Sequence, residues 1–80
     1  MSPEWIKLDI SLTERINDDP VAQALVTALV SFAENTGVKV VAEGIETAEE
    51  LKALAGLGIR YGQGFHLGRP ESLDKALAAH

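Results

Sequence analysis

The stretch from Val38 to Thr47, which reads V-K-V-V-A-E-G-I-E-T, decides the fold of this chain. Its first half is an apolar run without the regular alternation that marks a half-exposed strand. A strand of this kind is covered on both faces, as in the parallel sheet of an α/β protein. The run ends in two carboxylates, Glu43 and Glu46, which flank Gly44. Because ligands collect at the carboxyl ends of parallel strands, we expect the functional site here.

The residues from Trp5 to Ile10 also predict a strand, since Ile6, Leu8 and Ile10 alternate with polar or aromatic residues. This alternation places Lys7 and Asp9 on one face, which is either exposed to solvent or part of a polar site. We expect residues 11–17 to be irregular or a single loose helical turn.

A helix is predicted from Pro20 to about Thr36. Asp19 is its expected N-cap, Pro20 suits the first helical position, and Gly37 suits a left-handed C-cap. Apolar residues recur at helical spacing and predict a buried stripe that includes Phe32 as a core residue. The stripe consists of Val21, Leu25, Ala28, Leu29 and Phe32.

A second strand and helix pair follows the central run. Thr47 and Glu50 form a capping-box pattern for a helix that ends near Gly56 and Gly58 and faces inward with Leu51, Leu54 and Ala55. Residues 59–64 predict a third strand, in which Gly62 and Gly64 indicate a close approach to the backbone. Residues 68–70 predict a turn, and Ser72 is a possible N-cap for a last helix that ends near residue 79.

The order strand, helix, strand, helix, strand, helix predicts an α/β fold with three parallel strands joined by right-handed crossovers. Three parallel strands leave two open edges, one at residues 5–10 and one at residues 59–64. The helices are also expected to leave apolar sheet surface uncovered. We therefore expect a partial domain that associates with itself.

Composition excludes several classes of function. The chain has 80 residues, of which 46% are hydrophobic and 24% charged, and a net charge of −5. The seven basic residues are scattered, which argues against binding to a nucleic-acid polymer. The absence of cysteine excludes disulfides and thiolate chemistry. No apolar run is long enough for a membrane segment, and we expect a cytoplasmic location by default.

Three motifs resemble successive parts of one family. These are P-E-W-I-K-L-D at residues 3–9, V-V-A-E-G-I-E-T at residues 40–47 and Y-G-Q-G-F-H-L-G-R-P at residues 61–70. In order and spacing they are similar to the C-terminal part of the EAL domain, the bacterial cyclic di-GMP phosphodiesterase. The resemblance covers nearly the whole chain, and residues 1–80 are accordingly interpreted as a partial EAL domain.

The resemblance implies that the three strands are the sixth, seventh and eighth of a TIM-like (β/α)₈ barrel. It implies a role for Lys7 at the scissile phosphate and the attacking water, and for Glu43 in catalysis and in the metal and water network. Asp9 is a further possible metal ligand. The substrate-binding residues that it implies are Glu46, Gln63, Phe65, Arg69 and Pro70.

Hydrolysis by two Mg²⁺ or Mn²⁺ ions requires several convergent oxygen ligands. Most of the family's ligands lie on earlier strands that this sequence does not contain, and Asp18 and Asp19 are helix caps rather than the missing aspartate pair. The segment I-S-L-T at residues 10–13 also departs from the family, which usually has an arginine, a serine and an aromatic residue there.

Residue patterns alone also allow simpler interpretations. Glu43 and Glu46 could be solvated carboxylates near a helix N-terminus, Lys7 a surface lysine and Gln63 a partner for backbone groups. Three functions stay open: part of a phosphodiesterase domain, inactive as this chain alone; a non-catalytic remnant that acts as an interaction or weak nucleotide-binding module; or a generic nucleotide-binding α/β unit. No G-x-G-x-x-G motif or P-loop supports the last.

Overall fold

A computed structural model describes residues 4–64 and 67–78, with residues 67–70 described by their backbone alone. The elements are β1 (Trp5–Leu8), α1 (Ile10–Glu14), α2 (Pro20–Thr36), β2 (Lys39–Ile45), α3 (Ala48–Gly56), β3 (Tyr61–Gly64), β4 (Leu67–Ser72) and α4 (Leu73–Ala78). The four strands form one sheet in the order β1-β2-β3-β4. The first three strands are parallel, which confirms the predicted α/β class.

The last strand was not predicted. β4 pairs with β3 in antiparallel orientation, with Gly62 opposite Glu71 and Tyr61 opposite Ser72. The turn predicted at residues 68–70 is therefore wrong, because these residues lie within β4. Since β4 covers the far side of β3, the second open edge of the sheet lies at β4 and not at residues 59–64.

The first strand is shorter than predicted, and a helix follows it directly. β1 ends at Leu8, and α1 begins at Ile10 with Asp9 as its N-cap. Of the two alternatives expected for residues 11–17, the single helical turn is confirmed by α1, and turn residues follow it. Because Asp9 lies beyond the strand, it does not share a strand face with Lys7. Its side chain instead satisfies a backbone N–H at the start of α1.

Predicted helix ends are confirmed at several positions. Asp19 caps α2 by accepting a hydrogen bond from the Val21 backbone N–H at 2.9 Å. Gly37 ends α2 with a φ of 77°. Thr47 caps α3 through a 3.0 Å hydrogen bond from the Glu50 N–H to its hydroxyl oxygen. These helix ends could be predicted because each depends on the capping residue itself and not on a distant contact.

The core lies between one face of the sheet and the helices. It includes Leu8, Val40 and Ala42 from the strands and Val26, Leu51, Leu54 and Leu73 from the helices. Gly62 lies on this face, and an added Cβ would come within 2.6 Å of Ile45 and Leu73 side-chain atoms. The predicted close approach to this glycine is confirmed.

The predicted stripe on α2 is mostly wrong, because the helix buries a neighbouring set of residues. Ala22 and Val26 are buried, and Leu29, Val30 and Ala33 pack against the core. Phe32, predicted to be core, is 50% exposed, and Val21 and Leu25 are 74% and 49% exposed. Apolar residues cover about half of the helix circumference, so periodicity alone did not identify the buried part.

Within the described residues, no helix is long and apolar enough to cross a membrane.

Candidate functional site

The candidate residues of the three parallel strands lie on the sheet face opposite the core. Lys7 is in register with Val41, and Val41 with Tyr61. Because alternate residues of a strand point to the same face, Gln63 shares the face of Tyr61. The structure thus brings Lys7, Glu43 and Gln63 to the carboxyl ends of adjacent strands, as the sequence predicted. Every helix that contributes to the core packs on the other face.

Lys7 and Glu43 form an ion pair across β1 and β2. The Lys7 Nζ lies 3.7 Å from the Glu43 Oε1, and the two side chains are 68% and 31% exposed. A pair this open to water contributes little to stability. Both groups are therefore available to a ligand that approaches this end of the sheet.

The backbone between Glu43 and Glu46 leaves the regular strand geometry. The pairing of β2 with β3 shifts register between Ala42 and Ile45, and Gly44 has a φ of 69°. A Cβ at Gly44 would lie 2.6 Å from Ile10 Cγ1, since α1 packs closely against this part of β2. The irregularity turns the chain directly after Glu43, and only glycine fits there without strain.

Glu46 is held in place through its backbone. Its N–H donates a 2.9 Å hydrogen bond to Oε1 of Glu50. Glu50 is nine-tenths buried and lies in the first turn of α3, where a carboxylate is favourable to the helix dipole. The Glu46 side chain takes no part in these bonds, and it lies beside the carboxyl end of β2.

Asp9 has a different environment from the one expected of a metal ligand. Its Oδ2 accepts hydrogen bonds from the Ser11 hydroxyl and, at 3.1 Å, from the Ser11 N–H. These bonds stabilise the ionised form and lower the pKa of Asp9 below its ordinary value. Sequence reasoning missed this capping role, although Asp is a preferred N-cap residue.

The remaining predicted substrate-binding residues belong to the end of β3 and to β4. Gln63 is partly exposed near the carboxyl end of β3. Gly64, the next residue, has a φ of 99° and lies against the Ile45 backbone. Phe65 lies outside the described residues. Arg69 and Pro70 belong to β4, where the structure describes their backbone and not their side chains.

The amino ends of the same strands carry an aromatic cluster that sequence reasoning did not find. The Trp5 and Tyr61 rings meet edge to face with centroids 5.1 Å apart, and the Lys39 Nζ lies 5.5 Å from each centroid. A groove of about 460 Å³ lies at this end and is lined by residues that include Val30, Lys39 and Tyr61. This concave surface is thus remote from Lys7 and Glu43.

The described residues do not form a complete metal site. Among residues 4–64 and 67–78, no group of three or more His, Asp or Glu side chains is placed to hold a metal ion. Glu43 is paired with Lys7, and Asp9 is engaged by Ser11. A metal site that included the Glu43 carboxylate would need further oxygen ligands from outside the described residues.

Comparisons with known proteins agree on one family. The sequence model of the EAL domain matches residues 1–70. A Pseudomonas aeruginosa protein named cyclic di-GMP phosphodiesterase PA2567 is 40% identical over 65 residues, which is 81% of this chain and 11% of that protein. The Escherichia coli cyclic di-GMP phosphodiesterase PdeR is 42% identical over 65 residues, again 81% of this chain and 10% of that protein.

Solved structures give the same result. Klebsiella pneumoniae BlrP1, in a manganese and cyclic di-GMP complex, superposes with a TM-score of 0.78 at 43% identity, over 88% of this chain and 18% of that one. The EAL domain of Mycobacterium smegmatis DcpA gives a TM-score of 0.72 at 28% identity, over 95% of this chain and 34% of that one. The 80 residues therefore span a small part of the proteins they resemble.

The strand order, the paired Lys7 and Glu43, and the match of residues 1–70 lead to one conclusion: this chain belongs to the EAL domain family, and it covers a fragment of that family's TIM-barrel-like fold.

Proposed function

We propose that this chain is a partial EAL domain and supplies three strand ends of a site that hydrolyses cyclic di-GMP to the linear dinucleotide. The observation that carries the proposal is the pairing of Lys7 with Glu43 at the carboxyl ends of β1 and β2. A cation beside a carboxylate suits phosphodiester chemistry, because the lysine can stabilise charge that develops on the phosphate. Relatives named as cyclic di-GMP phosphodiesterases give further support.

Each candidate residue has a role in this proposal. Lys7 contacts the scissile phosphate, and Glu43 orients the attacking water and contributes to a metal site. Glu46, Gln63, Phe65, Arg69 and Pro70 contact the nucleotide. Both Ser11 bonds go to Oδ2 of Asp9 and hold this carboxylate at the start of α1, which makes Glu43 the better supported metal ligand of the two.

The same proposal implies a metal cofactor, a cellular location and a ligand. In the complete domain, Mg²⁺ or Mn²⁺ would be held mainly by residues on other strands. We propose a cytoplasmic signalling role, with cyclic di-GMP as the partner and no nucleic-acid polymer. The net charge of −5 supports the exclusion of a polymer.

The isolated 80 residues are expected to be inactive, because three strand ends do not assemble a two-metal site. The measurement is conversion of cyclic di-GMP to the linear dinucleotide with Mg²⁺ or Mn²⁺ in excess. Turnover by the chain alone, abolished by Glu43→Gln, would contradict this expectation and require a complete site in an oligomer.

Lys7 is tested in a complete EAL domain that carries residues 1–80 in place of its own last strands. Lys7→Ala should lower kcat by roughly 100-fold or more with little change in KM, since its main interaction is with the transition state. Lys52→Ala, an exposed lysine of α3, is the matched control. A raised KM at unchanged kcat would make Lys7 a binding contact only.

A second candidate function is a non-catalytic module that binds a partner chain or, weakly, the nucleotide. The observation in its favour is that the Asp9 side chain is used as the cap of α1. Glu43 is then the carboxylate that lies beside Lys7 at the strand ends. Calorimetry measures whether the 80-residue chain binds cyclic di-GMP. Because both candidates leave the isolated chain inactive, turnover by residues 1–80 within a complete EAL domain separates them. Binding without turnover, in a natural protein that lacks the other metal ligands, would favour the module.

Self-association is part of both proposals, although the surface differs from the expected one. The uncovered sheet face is mixed in character: beside Trp5, which is 42% exposed, it carries Lys7, Lys39 and Glu43, and its Val41 is 1% exposed. The exposed apolar residues lie mainly on α2 instead.

A further inference from the structure

Glu50 is the one ionisable side chain that is buried among residues 4–64 and 71–78, whose side chains the structure describes. It is 9% exposed. Neither of the ion pairs found in these ranges includes it. Burial of a carboxylate is costly unless hydrogen bonds compensate for the water that it loses. The hydrogen bonds of Glu50 therefore decide whether a carboxylate is tolerated at this position.

The Glu50 carboxylate reaches one residue beyond the helix that carries it. Thr47 is the N-cap of α3, and its hydroxyl oxygen accepts a hydrogen bond from the Glu50 N–H at 3.0 Å. In an ordinary capping box, the carboxylate at the third helical position accepts a hydrogen bond from the N–H of the N-cap residue. Here Oε1 of Glu50 accepts its 2.9 Å bond from the N–H of Glu46, the residue before the cap. Helix capping alone does not require this bond.

The bond is made to the segment that carries both candidate carboxylates of β2. Glu46 directly follows Ile45, the last residue of that strand, whose side chain is buried and whose backbone lies against Gly64. The Glu50 bond fixes the next peptide group, which joins Ile45 to Glu46. The Glu46 side chain is exposed. Its direction therefore depends on the backbone and not on packing around the side chain.

We propose that Glu50 is a positioning residue, which holds the Glu46 backbone so that the Glu46 side chain is directed to the nucleotide. The inference rests on the function proposed above, in which Glu46 contacts cyclic di-GMP. A strand end that is held before the nucleotide arrives loses less conformational entropy on binding. Glu50 itself contacts neither the nucleotide nor the reacting atoms, and it acts through Glu46.

Glu49 shows that a carboxylate in this helical turn need not be buried. It also lies in the first turn of α3, and it is exposed. An exposed carboxylate interacts favourably with the helix dipole without losing its hydration, so helix stability alone favours the arrangement of Glu49. The Glu49 carbonyl oxygen accepts a 3.2 Å hydrogen bond from the Asn17 side chain, which fixes this turn to the segment between α1 and α2. Glu50 is thus held on an anchored turn, and Glu49 provides a matched control.

The first test measures the hold on the Glu46 backbone in the 80-residue chain. Glu50→Met keeps the length of the side chain and suits a buried position but removes the acceptor, whereas Glu50→Gln keeps an acceptor oxygen. Relative to the Val41 amide of the sheet, exchange of the Glu46 amide hydrogen should accelerate about fivefold in Glu50→Met and less than about twofold in Glu50→Gln. Glu49→Met should leave it within about twofold. Unchanged relative exchange in Glu50→Met would overturn the proposal.

The second test measures nucleotide binding in a complete EAL domain that carries residues 1–80 in place of its own last strands. Calorimetry with metal ions removed by a chelator gives the Kd of cyclic di-GMP without hydrolysis. Glu50→Met should raise this Kd about 5–10-fold, and Glu50→Gln and Glu49→Met should change it less than about twofold. With Mg²⁺ restored, Glu50→Met should lower kcat less than about threefold, because Lys7 and Glu43 keep their strand positions. An unchanged Kd in Glu50→Met would overturn the proposal.

A double-mutant cycle tests whether Glu50 acts through Glu46. Glu46→Ala removes the side chain that is positioned, so adding Glu50→Met in that background should change the Kd by less than about twofold. A general loss of α3 stability would instead have its full effect in both backgrounds. Equal effects of Glu50→Met with and without the Glu46 side chain would contradict the positioning role.

Failure of the phosphodiesterase proposal would give a different result. A complete domain that shows the expected Kd values in all variants but does not hydrolyse cyclic di-GMP would contradict that proposal and support the positioning role of Glu50. If Glu46→Ala leaves the Kd unchanged, Glu46 is not a nucleotide contact. The positioning role is then overturned, whether or not the domain hydrolyses the nucleotide.

Discussion

The two ends of the same sheet face are built differently. At the amino ends of the strands, Trp5, Lys39 and Tyr61 hold one another through ring and cation contacts. At the carboxyl ends, Lys7 and Glu43 form one exposed ion pair. The backbone there is constrained instead at Gly44 and Gly64, which both have positive φ angles. The amino end is stabilised by side chains, whereas the carboxyl end holds its shape by backbone packing and leaves its ionisable side chains accessible to a ligand.

The comparison predicts that backbone changes at the carboxyl end have the largest effect on stability. Gly64→Ala should lower the free energy of unfolding by about 2–4 kcal/mol, because φ is 99° and an added Cβ would lie 2.6 Å from the Ile45 carbonyl oxygen. Gly56→Ala is the matched control, since nothing lies within 4 Å of its added Cβ; it should change stability by less than about 1 kcal/mol. Equal effects in urea denaturation would show that the Gly64 backbone is not constrained.

At the amino end, removing an aromatic side chain should have an intermediate effect. Trp5→Ala should cost about 1–2 kcal/mol, since Trp5 is partly exposed and loses its contact with Tyr61. A double-mutant cycle with Tyr61→Ala should give a coupling of about 0.5–1.5 kcal/mol. No coupling would mean that the two rings are neighbours without energetic consequence.

The ion pair at the carboxyl end should contribute least to stability. Lys7→Met is expected to change the free energy of unfolding by less than about 0.5 kcal/mol, because the pair is 3.7 Å long and exposed. Glu43→Gln should behave in the same way in thermal unfolding. A loss above about 1 kcal/mol would make this pair a structural element and weaken the contrast between the two ends.

The Asp9 carboxylate should titrate below its ordinary pKa, since it accepts hydrogen bonds from Ser11. A pKa that is lower in the folded state gives stability that is present above the unfolded pKa and is lost as pH falls through the folded pKa. Loss of the α1 cap is therefore expected only below about pH 4.

An NMR titration of Asp9 checks the shift. Ser11→Ala should raise the Asp9 pKa toward its ordinary value, and Ser31→Ala on α2 is the control. An Asp9 pKa that does not respond to Ser11→Ala would assign the shift to another group.

Much of the fold was predictable because its signals are local. Asp19, Gly37 and Thr47 act as helix caps through their own backbone or side-chain chemistry, and the apolar run of β2 indicated a covered strand. The paired placement of Lys7 and Glu43 followed from the rule that the ends of parallel strands lie together. No distant contact was needed for these predictions.

Other features depend on contacts that the sequence does not display. The pairing of β4 with β3 overrides a Gly-Arg-Pro segment that favours a turn by local preference. Which side of α2 is buried depends on how the helix packs against the sheet, since apolar residues extend over both candidate sides. The Trp5 and Tyr61 contact joins β1 and β3 across Lys39, and it could not be read from either strand alone.

The sequence separation of the paired strands also predicts the order in which they pair during folding. Pairing between β3 and β4 joins positions such as Gly64 and Leu67 that are close in sequence, whereas pairing between β1 and β2 joins Trp5 to Lys39 across all of α1 and α2. Short loops close with less loss of entropy than long ones. We therefore expect the antiparallel hairpin to form early and to give β2 an edge on which to pair, with β1 pairing last.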